Sequence, residues 1–231
     1  MLSIVPTPIG NLRDITLRAL DILKSVDIII CEDTRHTQKL LSGYEIKKPL
    51  MSFHEHSAPG KVNEVIRLLE EGKNLALVSD GGTPLISDPG FQIVNEAIRR
   101  QVPFEVLPGA SALTTALAGS GLATDSFSYF GFLPQKSAAR KKFLSSLIER
   151  EETLIFYESP HRLLQALEDM KEVFAEREAA VARELTKKFE EIQRGTLADL
   201  AARFSQKKIL GEIVVLVSGK NRKRLFFEGN P

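Results

Sequence analysis

Apolar runs of four or five residues, each stopped by a turn-rich loop, alternate along this chain with longer stretches whose apolar positions repeat at helical spacing. The clearest run is Leu75, Ala76, Leu77 and Val78. It is bulky enough for a strand buried on both faces, the habit of parallel sheets. Leu2 to Val5, Asp27 to Cys31, Leu50 to Phe53 and Phe104 to Leu107 read the same way. Between them, Ile15, Ala19, Ile22, Leu23 and Val26 share a helical face behind Asp14 as a cap, and Val62, Val65, Ile66 and Leu69 do so in a helix from Lys61 to Glu71. Gly81, Gly82 and Pro84 end the run at Val78; Asp88 is placed to cap, and Pro89 to begin, a helix reaching Arg100. A further helix begins near Ser111. This alternation predicts an α/β domain with a parallel sheet over 1–119, whose ligands would bind at the carboxyl ends of its strands.

The loop from Ala118 to Asp125, with Gly119, Ser120 and Gly121, predicts a domain boundary, leaving 120–231 as a second α/β domain. There the pattern is mixed. Strands are expected at Ser128 to Phe132, Thr153 to Tyr157, Ala179 to Arg183, Phe189 to Arg194 and Glu212 to Ser218. One helix carries Arg140, Lys141 and Lys142. Another follows Ser159 and Pro160 with Leu163, Leu167, Met170 and Phe174 on one side, and a third runs from Gly195 to Phe204. With so little helix between the last strands, some neighbours should run antiparallel.

Composition narrows the classes. Over 231 residues, 43% hydrophobic content is enough for real cores. The sequence contains no apolar stretch of membrane-spanning length and its start lacks a secretory layout, so a cytoplasmic protein is expected. The single cysteine, Cys31, sits in an apolar run and reads as a buried hydrophobe, and no metal is expected. With 31 basic against 30 acidic residues, bulk charge does not make the chain a polyanion binder; any nucleic-acid contact must come from local patches.

The candidate chemistry lies in loops of proline, glycine, small hydroxyl residues and carboxylates, at Pro6 to Asn11, Ser79 to Gly90, Pro108 to Ala112 and Glu158 to His161. Each alone is an ordinary turn. Together they suggest one cleft, and because Arg162 just past the last is the nearest cation, they suit a nucleoside-containing ligand better than a bare anion. A P-loop, a G-x-G-x-x-G and a G-x-S-x-G elbow are all missing. His54, Glu55 and His56 lack metal-site spacing and read as a polar loop. Glu32, Asp33 and Arg35 fit a helix cap with a surface ion pair as well as a substrate contact. Lys136, Arg140, Lys141 and Lys142, and likewise Arg222, Lys223 and Arg224, fit a solvated face as well as phosphate contacts.

In order along the chain, PTPIGNLRDITLRAL, CEDTR, SDGGTPLISDPG, PGASA, GFLPQK, YESPHR and ELTKKFEE closely resemble the motifs of the tetrapyrrole methylase superfamily, and within it the branch that methylates ribosomal RNA of the small subunit. The resemblance implies a two-domain, non-Rossmann α/β fold, a homodimer, and S-adenosylmethionine folded into the interdomain cleft. It implies 2'-O-methylation of a decoding-centre cytidine in 16S rRNA. It places the cofactor against Pro8, Ile9, Asp80, Gly82, Thr83, Ile86, Ser111 and Ala112, and near Phe132 and Tyr157. At the position of Thr83, relatives acting on tetrapyrroles carry an aspartate. For the proton of the ribose hydroxyl, Glu158, His161 and Lys187 are candidates, with Glu158 preferred although a helix-start carboxylate explains it equally well. Asp33, Arg35, His54, Lys136, Arg140 and Arg162 are expected to meet the RNA. Competing readings are a methylase of a porphyrinoid carbon or of a modified protein side chain, a catalytically silent RNA-binding relative, and an anion-binding scaffold.

Overall fold

Leu2–Ile4 (β1) is hydrogen-bonded on both sides, to Leu75–Leu77 (β4) and to Phe104–Val106 (β5), all parallel. The computed structural model, which describes residues 1–54 and 59–221, completes this sheet with Ile28–Cys31 (β2) and Leu50–Ser52 (β3), in the order β3-β2-β4-β1-β5. Strand residues alternate between two apolar layers. Leu2, Ile4, Ile30, Leu75 and Leu77 pack under Pro59–Glu70 (α3) and Phe91–Arg99 (α4). Val5, Ile29, Cys31, Ala76 and Val78 face Leu17–Ser25 (α1) and Thr34–Gly43 (α2). With helices on both faces, β2 and β4 are apolar at every position, which made them visible in the sequence, while β1 and β5 carry Ser3 and Glu105, hydrogen-bonded to each other at 2.9 Å.

Local chemistry corrects several helix starts. The cap of α1 is Thr16, whose hydroxyl accepts from Ala19 N; Asp14 instead closes a short 3-10 turn, Leu12–Asp14. The cap position of α4 is Gly90, at φ 123°, with no side-chain hydrogen bond, so neither Asp88 nor Pro89 opens that helix. Thr34–Gly43 bears out the reading of Glu32, Asp33 and Arg35 as a helix cap with an ion pair, although the length of the helix was not anticipated. Its buried Thr37, Leu40 and Leu41 carry the helical spacing behind Asp33, the cap.

The chain divides into two compact units, Met1–Ser111 and Ala112–Pro231. Helix Ala112–Ser120 (α5) packs on strands of the second unit, so the contacts divide before α5 and not in the glycine loop that follows it. The second sheet consists of Phe127–Phe132 (β6), Thr153–Glu158 (β7), Glu178–Arg183 (β8), Glu191–Thr196 (β9) and Ile213–Val217 (β10), in the order β6-β7-β10-β8-β9. Only β6 and β7 pair in parallel; the other neighbours are antiparallel, the mixed sheet anticipated. One face is covered by Ser137–Ser145 (α6), Leu163–Phe174 (α7) and Leu197–Phe204 (α8) around Phe156, Val181 and Val215. Helix α8 is held by a capping box between Thr196 and Asp199.

Candidate active site

In the first unit, the loops leaving β4, β1 and β5 meet because these strands are neighbours. Thr7 and Gly82 exchange both backbone hydrogen bonds, at 2.9 Å each, tying the loop after β1 to the loop after β4. The Thr7 hydroxyl donates to the Ser79 carbonyl (3.1 Å), and the Thr83 hydroxyl donates to the Ala110 carbonyl (3.1 Å), which ties in the loop after β5. An ionised aspartate in place of Thr83 could not donate that bond. Gly82 sits at φ 94°, beside Ile9 and the Ala110 carbonyl, in a region a side chain would strain. Leu85 and Ser87 are held at φ 74° and 64° without that freedom, strain of the kind found in ligand-shaping loops.

Pro8, Ile9, Asp80, Gly82, Thr83, Ile86 and Ser111 therefore belong to one end of the first sheet. Ala112 opens α5 in the second unit, where Phe132 and Tyr157 stand edge to face with ring centroids 5.8 Å apart. Tyr129, not anticipated, joins them at 5.0 Å from Tyr157. Strand β6 bulges between Tyr129 and Phe132, and this brings both rings to the same face.

Acidic groups gather beside these loops. Asp80 Oδ1 accepts from Asp33 N at 3.4 Å. Burial pushes the Asp88 carboxyl up to about 7; the negative charges of Glu32 and Asp80 add to the rise, and a hydrogen bond from Ser79 opposes it. Asp88 ordinarily ionises near 3.8. Between that value and about 7 the folded chain keeps a proton that the unfolded chain has released. Its contribution to stability is therefore fully present below about pH 4 and lost as the pH rises to about 7. Asp88→Asn should flatten this decline in urea denaturation compared at about pH 5 and about pH 8. Parallel curves for the two proteins would mean that Asp88 is not held protonated.

The substrate candidates separate. Asp33 caps α2 and holds Arg35 through both carboxylate oxygens, at 3.2 and 2.9 Å; hydrogen bonds from the Arg35 side chain and then its backbone lower the Asp33 pKa to about 2. Arg35 is exposed and lines, with Thr34, Gln38, Lys48 and Leu50, a shallow hollow of about 550 Å³. His54 is exposed; Glu55, His56, Arg222, Lys223 and Arg224 lie outside the described residues. Lys136 is exposed at the start of α6.

Arg140 is a correction. Its side chain is 1% exposed and bound to Asp169 by Nε (2.7 Å) and Nη2 (2.6 Å), with Nη1 donating to the carbonyls of Pro134 and Gln135. A guanidinium closed off in this way has no face left for a phosphate. Burial of Asp169 on α7 is what draws it inward, and no local pattern in the sequence announces it.

Two proton-acceptor candidates are also corrected. The Glu158 side chain is fully buried; Oε1 accepts from Ser159 N (2.7 Å) and pairs with Arg162 Nη2 (2.6 Å), while Oε2 is buried without a partner. It anchors the loop after β7 and offers no face to a ribose. Burial works to lower the Lys187 pKa, but hydrogen bonds to Glu184 and Glu212, each at 3.0 Å, outweigh it and raise it, so Lys187 stays protonated and is no base. Arg162 is partly engaged, by Glu158 and by the Leu133 carbonyl at 3.5 Å. His161 is exposed beside this pair.

Residues 1–201 match the family model of Tetrapyrrole (Corrin/Porphyrin) Methylases. Proteins named Ribosomal RNA small subunit methyltransferase I are similar over nearly the whole chain. That of Bacillus subtilis is 48% identical, covering 97% of this chain and 77% of the relative. That of Thermotoga maritima is 48% identical over 95% and 98%, and that of Vibrio cholerae 50% over 95% and 77%. The chain belongs to the tetrapyrrole methylase family, with the small-subunit ribosomal RNA methyltransferases I. Solved structures share the fold of this methylase at lower identity. Cobalt precorrin-4 methyltransferase superposes with a TM-score of 0.70 at 19% identity, covering 94% of each chain. Uroporphyrin-III C-methyltransferase of Thermus thermophilus, solved with S-adenosylhomocysteine, gives 0.66 at 15%, covering 94% of this methylase and 96% of that chain.

Proposed function

We propose that this methylase transfers a methyl group from S-adenosylmethionine to the ribose 2'-oxygen of a decoding-centre cytidine in 16S rRNA, in the cytoplasm and as a homodimer. The observation that carries the reading is the cradle at the end of the first sheet, seen in a chain about half identical to small-subunit ribosomal RNA methyltransferases I. Its three loops contain no Lys or Arg, and Asp80 and Asp88 stand among them. Such a lining suits a sulfonium nucleoside better than a phosphate, which would need cations in the loops. When bound, S-adenosylmethionine supplies the activated methyl.

The chain's own residues then have distinct tasks. Pro8, Ile9, Gly82, Thr83, Ile86 and Ser111 form the cofactor cradle, where small and apolar groups admit close approach and exclude water. Positioning carries more of the barrier reduction than any one base: alignment is worth up to roughly 7–11 kcal/mol, against about 10²–10⁴-fold for proton transfer. His161, exposed where Glu158 and Lys187 are engaged, is the candidate to take the proton. Arg35 and Lys136 are candidates for phosphate contacts.

The test offers the purified protein tritiated S-adenosylmethionine with small ribosomal subunits, with naked 16S rRNA and with uroporphyrinogen. The expected result is label in the RNA, mapped to one cytidine ribose by mass spectrometry of nuclease fragments. Label on a base, on the tetrapyrrole or on a subunit protein would overturn the reading.

A further inference from the structure

The turn from Glu184 to Glu190, which joins β8 to β9, is braced far beyond what a hairpin connection needs. Glu184 and Thr186 are held at φ 52° and 64°, conformations costly for residues with side chains. Crossing bonds hold them there. Glu190 Oε2 accepts from Thr186 N at 2.6 Å, and Glu190 N donates to the Lys187 carbonyl at 3.1 Å. Lys187 Nζ and Glu212 N both reach Glu184 Oε1, at 3.0 and 3.1 Å, pinning the turn to the start of β10. Leu185 is buried beneath it.

This bracing holds Lys188 and Phe189 outward. Phe189 is 65% exposed, and the Lys188 ammonium lies 5.6 Å from the centre of its ring. Lys188 makes no ion pair with any described residue, although carboxylates engage Arg183, Lys187 and Lys207 around it. An exposed aromatic ring on a surface is unremarkable by itself. An exposed aromatic ring and a cation that lies over it without a carboxylate partner among the described residues, on a turn under backbone strain, are a prearranged pair. Unpaired nucleotides need this combination, a flat apolar face for a base and a positive charge for the adjacent phosphate.

We propose that the turn is a second RNA contact, in which Phe189 stacks on an unpaired base and Lys188 meets a neighbouring phosphate of the same strand. The inference rests on the reading of the substrate as ribosomal RNA. It assigns to the ELTKKFEE segment a part in binding, with Lys187 as a brace that positions its neighbours.

The test measures binding of a fluorescent single-stranded fragment of the small-subunit RNA to the full chain, together with KM and kcat for methyl transfer to the small subunit. Phe189→Ala should weaken binding by about 5- to 150-fold, and Phe189→Trp should restore it. Lys188→Gln should lower the slope of log affinity against log salt by about 0.7. S-adenosylhomocysteine affinity by calorimetry, the melting temperature and the sedimentation coefficient should be unchanged in all three variants. If wild type methylates the RNA while Phe189→Ala keeps its affinity and KM, the turn is not a contact and the proposed function stands. Loss of binding together with a change in sedimentation would make the turn an interface between copies and overturn the inference. If wild type neither binds nor methylates the RNA, both readings fall.

Discussion

Arg140→Ala is expected to destabilise the second unit by about 3–5 kcal/mol, the cost of leaving a buried charge without its partner. Asp169 would keep a hydrogen bond from Ser137 (3.0 Å) and one from Gln165 (3.2 Å), but among the described residues Lys141 Nζ, 3.8 Å away, is the one cation left paired with it. The carbonyls of Pro134 and Gln135 would lose their donor in the same step. Against a typical domain stability of about 5–15 kcal/mol, such a loss removes from roughly a fifth to nearly all of it. Asp169→Ala should cost a similar amount, and the double variant Arg140→Met/Asp169→Leu much less, because an apolar pair needs no desolvation. Lys136→Ala, at an exposed position four residues earlier, should stay within about 0.5 kcal/mol of wild type. Urea denaturation of the four variants decides the matter. A midpoint for Arg140→Ala equal to that of wild type would show that this guanidinium is not needed inside.

Gly109→Ala is expected to reduce kcat/KM for methyl transfer by about 100-fold, because a shift near 1 Å in a positioning loop has that scale of effect. A Cβ on Gly109 would lie 2.5 Å from Cβ of Pro6, and the proline ring cannot swing aside as a flexible side chain could. One of the two loops must move, and both line the cradle. The Thr83 bond to the Ala110 carbonyl and the Thr7–Gly82 bridge would pass the displacement to the loop after β4. Stability should fall by only about 1–3 kcal/mol, as for other overpacked sites. S-adenosylhomocysteine affinity measured by calorimetry should fall with the activity. Unchanged kinetics would place the reacting groups away from this end of the sheet.

These expectations differ in how much of them could be read before the fold was known. Runs such as Leu75 to Val78 and Ile28 to Cys31 announced a parallel sheet, since strands covered on both faces tend to be apolar throughout. The loop residues of the cradle were legible for a related reason. Glycine and proline are demanded by local backbone geometry, and local demands leave marks in sequence. Helix α2 was legible at its start, where Asp33 and Arg35 fit a cap with an ion pair, but its extent rests on only three buried positions, Thr37, Leu40 and Leu41. The start of α4 was misplaced because Asp88 and Pro89 have the composition of a cap, whereas Gly90 at φ 123° is the residue that turns the chain into the helix.

By itself the sequence determined the alternation of strands and helices, the change from a parallel to a mixed sheet, the family, and the loops that gather at one end of the first sheet. Each is written in local periodicity or in contiguous motifs. Tertiary structure alone decided which charges are free to act. Arg140, Glu158 and Lys187 looked like surface chemistry until Asp169, Arg162 and the carboxylates of Glu184 and Glu212 came to lie against them. Except within the turns at Glu158–Arg162 and Glu184–Lys187, those partners are distant along the chain. Burial and pairing depend on what packs nearby in space, and spacing in sequence does not record it.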